Sequence, residues 1–212
     1  HKAANVVQTT KDIIGLHATD NNTPYLSLFA RVRDFERKHL DQELYDNKSL
    51  ARIECMRSTL FIISKDILPI VYKVYKGGFS KEVLKAWGMS CQEFEDISQR
   101  ILEILNHKAM TISRIKVLLP NDIQRTLTRR SGKNIVHITN LKITLILLLQ
   151  QGILVGMKKR GSLEPGGLNY YARLSDWFPD VNLGRIAREE AMLQLIMLYI
   201  NSCGPVTSRD IS

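Results

Sequence analysis

The sequence runs twice through one order of local signals, three helices and then a strand pair, and this doubling restricts the chain to small tandem modules. In the first pass, Asn5 to Leu16 carries Val6, Val7, Ile13, Ile14 and Leu16 at helical spacing and ends near Gly15. His17 to Pro24 is polar and breaker-rich and reads as a loop. A second helix starts near Pro24, a residue favoured at a first helical position, with Leu26, Phe29 and Ala30 on one side. A third, Glu36 to Tyr45, turns Leu40 and Leu44 inward. Ser49 to Ile63 then alternates as two short strands around Arg57 and Ser58. Ser64 caps a closing helix through Ile67, Leu68, Val71 and Val74, ended by Gly77 and Gly78.

The second pass opens at Ser90, which with Glu93 matches a capping box, and continues through Phe94, Ile97, Ile101, Leu102 and Leu105. Thr111 starts a short helix, Ile112 to Leu118, stopped by Pro120. Thr139 caps a third helix that ends at Gly152. A strand at Ile153 to Gly156, a basic tip at Met157 to Arg160, a glycine-rich turn and a strand at Tyr170 to Leu174 complete the set. Glu189 to Ser202 is a further amphipathic helix with Leu193, Ile196, Met197 and Ile200 inward, and Thr207 would cap the next.

Helix, helix, helix, hairpin is the order of a winged helix-turn-helix. The fold class expected is therefore mainly α with small β-hairpins (α+β), built as tandem winged helix-turn-helix domains. The modules fall at 1–78, at 79–183 with a basic wing, and at 184–212, the last expected to be the start of a truncated third module.

Charge narrows the partner. The chain carries a net +9, and residues 107–161 hold eleven Lys or Arg against one acid, Asp122, while the remainder is close to neutral. One segment supplies the excess, the footprint of a polyanion partner. Nucleic acid comes first and an anionic membrane surface second; the second lacks a basic amphipathic helix with exposed aromatics. The longest apolar stretch, Leu145 to Leu149, is far too short to span a bilayer, and the chain opens without a signal-peptide pattern. Cys55, Cys91 and Cys203 share no metal-like spacing and read as buried reduced thiols, so neither a metal nor another cofactor is expected. GMKKRGS at Gly156 has Ser162 where a phosphate-binding loop needs Lys, which excludes nucleotide binding there.

In a helix-turn-helix the third helix enters the major groove and the wing meets the backbone or minor groove. That helix would be Thr139 to Gln151, with Asn140 and Lys142 able to reach bases or phosphates, or to serve only as its soluble face. Lys158, Lys159 and Arg160 on the hairpin tip are the stronger candidates, as phosphate contacts that position the protein. A second constellation is the loop His17-Ala18-Thr19-Asp20. A histidine, a hydroxyl and a carboxylate within four residues can hold a water and take its proton, although Asp20 also suits a turn or cap.

Four phrases in order, GLHATDNNTPYLSLFARVRDF, LARIECMRSTLFIIS, YYARLSDWFPD and EEAMLQLIMLYINSCGPVTSRD, resemble the AlkZ/YcaQ family of bacterial DNA glycosylases. The family's counterparts are GLQAQ…PYLALWAR, MRGTLHL, a DEWLP-like segment and YGPAT. The resemblance implies winged helices arranged around duplex DNA and hydrolysis of the N-glycosidic bond of alkylated or crosslinked purines. It also implies a water oriented by a Gln-x-Gln or Gln-x-Asp pair, whose two positions fall here on His17 and Thr19, with Asp20 one place beyond. Arg57 falls on the arginine of the family's MRGT hairpin, near the lesion backbone or against the loop. Arg31 and Arg33 follow the PYLSLFA helix and are candidates for the same cleft. The expected function is a metal-free, monomeric DNA-repair glycosylase of the nucleoid and cytoplasm, with a non-catalytic winged-helix regulator or inactive relative as the alternative.

Overall fold

The computed structural model describes residues 3, 5–55, 59–75, 81–132, 134–160, 170–184, 186–207 and 209. By its internal contacts the chain forms two compact units. One comprises His1–Lys76, Lys158–Gly167 and Phe178–Ser212, and the other Gly77–Met157 and Leu168–Trp177.

The first unit starts with α1 (Val6–Asp12), capped by Asn5, whose side chain accepts from the Gln8 N–H. Then follow β1 (Leu16–His17), α2 (Thr23–Arg31), α3 (Arg37–Asp41) continued by a π-turn at Gln42–Asp46, β2 (Leu50–Glu54) and β3 (Leu60–Ser64). The strands form one antiparallel sheet in the order β1-β3-β2. Its core gathers Val6, Leu16, Tyr25, Leu28, Val32, Leu40, Leu44, Leu50 and Ile62. Ser64 accepts from the Asp66 N–H and leads through a 3-10 turn at Lys65–Ile67 into α4 (Leu68–Tyr75).

Two helices are rotated from their expected faces. On α2 the buried side is Pro24, Tyr25 and Leu28, followed by Val32, while Leu26 and Phe29 are 66% and 64% exposed and Ala30 is exposed too. Both stripes have helical spacing, so periodicity alone does not choose between them. Burial of Tyr25, whose hydroxyl donates to Asp41 at 2.8 Å, sets the rotation. In α10 (Arg188–Cys203) it is Ala191, Leu195 and Leu198 that pack with Ile70 and Val74 of α4. Leu193, Met197 and Ile200 are exposed rather than inward, because this helix is apolar on two sides. Cys203 is exposed and Cys55 and Cys91 are only half-buried, rather than all three being buried, and all three are free thiols.

The second unit runs α5 (Lys81–Ala86), α6 (Cys91–Ile104), β4 (Met110–Thr111), α7 (Ile112–Leu118), β5 (Thr126–Ser131), β6 (Asn134–Thr139), α8 (Asn140–Gln150), β7 (Leu154–Met157), β8 (Tyr170–Arg173) and α9 (Leu174–Trp177). Ser90, Thr111 and Thr139 cap α6, α7 and α8 as their positions predict. Gly152 ends α8 at φ +71°, a conformation glycine adopts without strain. Strands β4, β8 and β7 form a sheet in that order, and β5 and β6 form a separate two-stranded ribbon. The core joins Phe94, Ile97, Ile101 and Leu105 of α6 and its end to Ile115, Leu127, Leu154 and the leucines of α8.

Each unit therefore contains the series helix, short strand, two helices and closing strand pair, with the first strand beside the last; in the second unit the ribbon β5–β6 is inserted between the two helices. That connectivity matches the winged-helix order, and the mixed α+β class stands. The first strand of each sheet is only two residues long and was not visible in the sequence; His17 sits in one of them rather than in a loop.

Candidate functional site

The segment His17–Asp20 belongs to the first unit, and the path that delivers it is tight. Ile14 adopts φ +66°, unusual for a β-branched residue. A Cβ on Gly15 would lie 2.8 Å from Ile63 Cγ2 and 3.1 Å from the Ile62 carbonyl, so only glycine lets the chain press this closely on β3.

Strand β1 then pairs with β3, Leu16 with Ile62 and His17 with Phe61. The ladder continues one residue further, because the Ala18 N–H donates to the Leu60 carbonyl at 2.7 Å. Side chains alternate along such a strand: His17 is exposed, Ala18 fully buried, Thr19 exposed. His17 and Thr19 thus share the outer face. The His17 ring stands edge-on to Phe61, centroids 5.3 Å apart. Thr19 Oγ1 accepts from the Leu60 N–H at 3.3 Å, leaving its hydroxyl hydrogen for another acceptor.

Asp20 plays a different part. Its Oδ1 accepts from the backbone N–H groups of Asn22 at 2.8 Å and Thr23 at 3.2 Å, which caps the entry into α2. Asn22, at the formal cap position, makes no side-chain capping bond. Of the three residues expected to act together, the strand brings His17 and Thr19 to one face, and Asp20 holds the turn after them.

Beneath the segment lies a residue the sequence did not single out. Arg52, on β2 opposite Ile62, is 6% exposed, and its Nη1 donates to the Ala18 carbonyl at 3.3 Å and approaches Asn21 Oδ1 at 3.5 Å. Its Nε is buried with no hydrogen-bond partner among the described residues. Burial pushes the guanidinium below its ordinary value, against the fields of Tyr45, Tyr25 and Asp41. The same burial, with the bond to Asp41, pushes the Tyr25 phenol up. An arginine inside the apolar strand LARIE was the available signal.

The candidate nucleic-acid contacts divide. Arg31 is exposed but folds back onto the carbonyl and hydroxyl of Ser27 at 3.0 Å each; Arg33 is exposed. Arg57 lies outside the described residues. At the tip expected to form the wing, Lys158 is 5% exposed, Lys159 is exposed, and Arg160 forks onto Asp46 at 2.8 and 2.6 Å within the first unit. The premise that three charges there serve no structural purpose fails for Lys158, which is buried, and for Arg160, which is paired. Residues 161–169, beyond it, lie outside the described residues.

In the second unit Lys142 is exposed on the first turn of α8, but Asn140 is fully buried. Asn140 Nδ2 donates to Glu93 Oε1 at 3.0 Å and to the Ile123 carbonyl at 2.7 Å, while Oδ1 accepts from the N–H groups of Arg125 and Leu141. The whole hydrogen-bonding capacity of the amide is used inside the unit, so Asn140 is a structural residue here rather than a DNA contact. No helix among the described residues is long and apolar enough to cross a membrane. Nor do the described residues contain a group of three or more His, Cys, Asp or Glu arranged to hold a metal.

Comparison with known proteins adds three findings. The family described as DNA glycosylase AlkZ-like matches residues 10–212. No curated protein matches the chain. Among solved structures, the Streptomyces sahachiroi DNA glycosylase AlkZ superposes with a TM-score of 0.69 over 98% of this chain at 15% identity. The chain spans about half of that protein, 54% of its length.

Proposed function

Because this chain belongs to the AlkZ-like DNA glycosylase family, we propose that it binds duplex DNA and hydrolyses the N-glycosidic bond of alkylated or crosslinked purines. The observation that carries this reading is the outer face of the strand at residues 17–19. His17 and Thr19 stand there together, with Ala18 locked between them by β3 and Arg52.

On this reading a water sits between the two side chains. The Thr19 hydroxyl donates to it, and an imidazole nitrogen of His17 takes its proton as the oxygen bonds to C1′ of the sugar. The C1′–N bond breaks and its electron pair leaves with the base. A purine alkylated on a ring nitrogen is already cationic, so it departs neutral without a proton donor. Asp20 fixes the start of α2 and so the end of the catalytic segment. Neither a metal nor a cofactor enters the scheme.

Arg31, Arg33 and Lys159 are assigned to phosphate contacts, which position without reading sequence. Winged-helix modules at 1–78 and 79–183, a monomeric state, and work in the cytoplasm on nucleoid DNA complete the proposal.

Base release from alkylated and from crosslinked duplexes tests it, with wild type beside His17→Ala. The variant should lose about 100-fold or more in single-turnover rate while holding duplex affinity. If wild type binds duplex but releases no base, the chain is instead a non-catalytic winged-helix DNA binder. The specific observation favouring that second reading is His17 where the family carries Gln and Thr19 where it carries Gln or Asp.

A further inference from the structure

A helix-turn-helix joins its second and third helices by a turn of about three or four residues. In the second unit residues 119–139 stand in that place, between α7 and α8, and most of them form the ribbon β5–β6. From this we infer that the ribbon, and not the third helix α8, is the element that enters a groove of duplex DNA. The inference rests on the DNA-binding reading above and deepens it.

Helix α8 is unsuited to the task. Asn140, Leu141, Ile143, Thr144, Leu145, Leu147 and Leu148 are all buried, and only Lys142 and Ile146 are exposed on it. A helix apolar on nearly every side belongs to a core and has no row of polar side chains for base edges. The polar residue at its start, Asn140, is consumed internally.

The ribbon has what α8 lacks. Its strands pair in register from Thr126 with Thr139 to Ser131 with Asn134, so cross-strand partners share a face. One face is anchored at its root. Leu127 is 1% exposed and Ile138 packs with the core, while further out the Arg129 guanidinium lies 4.7 Å over the Trp87 ring. The base is fixed again at Arg125, whose side chain forks onto Glu93 and donates to the Gly88 carbonyl. The opposite face, with Thr126, Thr128, His137, Arg130 and Ile135, is exposed.

On that outer face Thr128 and His137 share a hydrogen bond of 3.1 Å, and Arg130 stands across from Ile135, which is 59% exposed. Residues 126–139 contain no acid. A two-stranded ribbon fits a DNA groove in width. Arg130 would meet phosphate, Thr128 and His137 base edges, and Ile135 a thymine methyl or a base step. The ribbon lies in the segment that supplies the whole positive excess of the chain, which calls for a polyanion, and among polyanions duplex DNA is the one with a groove of the ribbon's width.

The test is equilibrium binding of the full 212-residue chain to an undamaged duplex over a range of salt concentrations. Wild type is compared with Arg130→Ala, Ile135→Asp and, on α8, Lys142→Ala. Arg130→Ala should lower the slope of log affinity against log salt by about 1, and Ile135→Asp should weaken binding about tenfold. Lys142→Ala should stay within about twofold of wild type. Melting followed by tryptophan fluorescence checks that each variant folds; Ile135→Thr and Arg130→Gln replace any that does not. Wild-type affinity and slope in both ribbon variants, or a larger loss from Lys142→Ala, overturns the ribbon assignment alone. A wild-type chain that fails to bind duplex at low salt removes the DNA-binding reading and this inference with it.

Discussion

Arg52 Nη1 donates to the carbonyl of Ala18 across 34 residues of sequence, and this bond ties the hairpin β2–β3 to the residue between His17 and Thr19. The contact is to backbone, so it fixes the path of the segment and touches neither candidate catalytic side chain. Arg52 is a positioning residue.

Arg52→Lys should therefore separate rate from affinity. Lysine keeps a charge but offers a compact ammonium in place of a planar fork, and it cannot span Ala18 and Asn21 in the same way. A displacement of about 1 Å at a catalytic centre costs on the order of 100-fold in rate. Single-turnover base release should fall by roughly that factor, with duplex affinity within about twofold of wild type. A parallel loss of rate and affinity, or a rate unchanged from wild type, would show that Arg52 serves the core alone.

Gly15→Ala probes the close approach that brings the chain onto β3. The added methyl meets Ile63 Cγ2 and a backbone carbonyl, and the carbonyl cannot rotate away. Overpacking of this kind costs about 1–3 kcal/mol, read as a lower melting temperature by circular dichroism. Base release should drop as well, since β1 and the segment after it must shift. A variant as stable and as active as wild type would mean that β3 yields without consequence.

What the sequence disclosed follows from how far each interaction reaches. Ser64, Ser90, Thr111 and Thr139 all cap as their positions indicated, because a cap bonds a backbone N–H two or three residues ahead. The two-residue strands β1 and β4 have no local signal; they exist only because β3 and β8 lie alongside. On α2 and α10 the existence of a helix was legible and its rotation was not, each having two apolar stripes of similar spacing.

The site was legible to the same degree. His17 and Thr19 stood out as residue types, but their common face depends on pairing with Phe61 and Leu60. Asp20 read equally well as a proton acceptor or a turn cap, and the N–H groups of Asn22 and Thr23 decide for the cap. The ribbon was missed although Thr126 to Thr139 is rich in β-branched residues around Gly132. Its outer half faces solvent on both sides, so no alternation of apolar and polar residues marks it.

Asn140→Ala distinguishes a structural amide from a reading one. Removing it leaves the Ile123 carbonyl and the Arg125 N–H inside the unit without their partner. The expected cost is about 1–3 kcal/mol, measured as a shift of the urea midpoint. Under conditions where the variant stays folded, its duplex affinity should match wild type. Weakened binding at unchanged stability would return Asn140 to the interface.

Glu93 supplies a pH signature for the second unit. The Arg125 guanidinium, and after it the Asn140 amide and the Ser90 N–H, hold its carboxyl below the ordinary glutamate range against a desolvation that raises it. The folded unit therefore binds this proton less readily than the unfolded chain does. Its contribution to stability is present above the ordinary glutamate value, about pH 4, and is lost as pH falls from there through the lowered folded value. The two tryptophans, Trp87 and Trp177, both lie in this unit, so their fluorescence reports its unfolding. Urea midpoints measured downward from pH 7 should decline for wild type as the glutamate range is entered. In Glu93→Gln the midpoint at pH 7 should be lower and the part of the decline due to this group should vanish, because glutamine keeps the bond to Asn140 but not the charge facing Arg125. Parallel midpoint curves for the two proteins across the acid range would show that Glu93 does not carry this dependence.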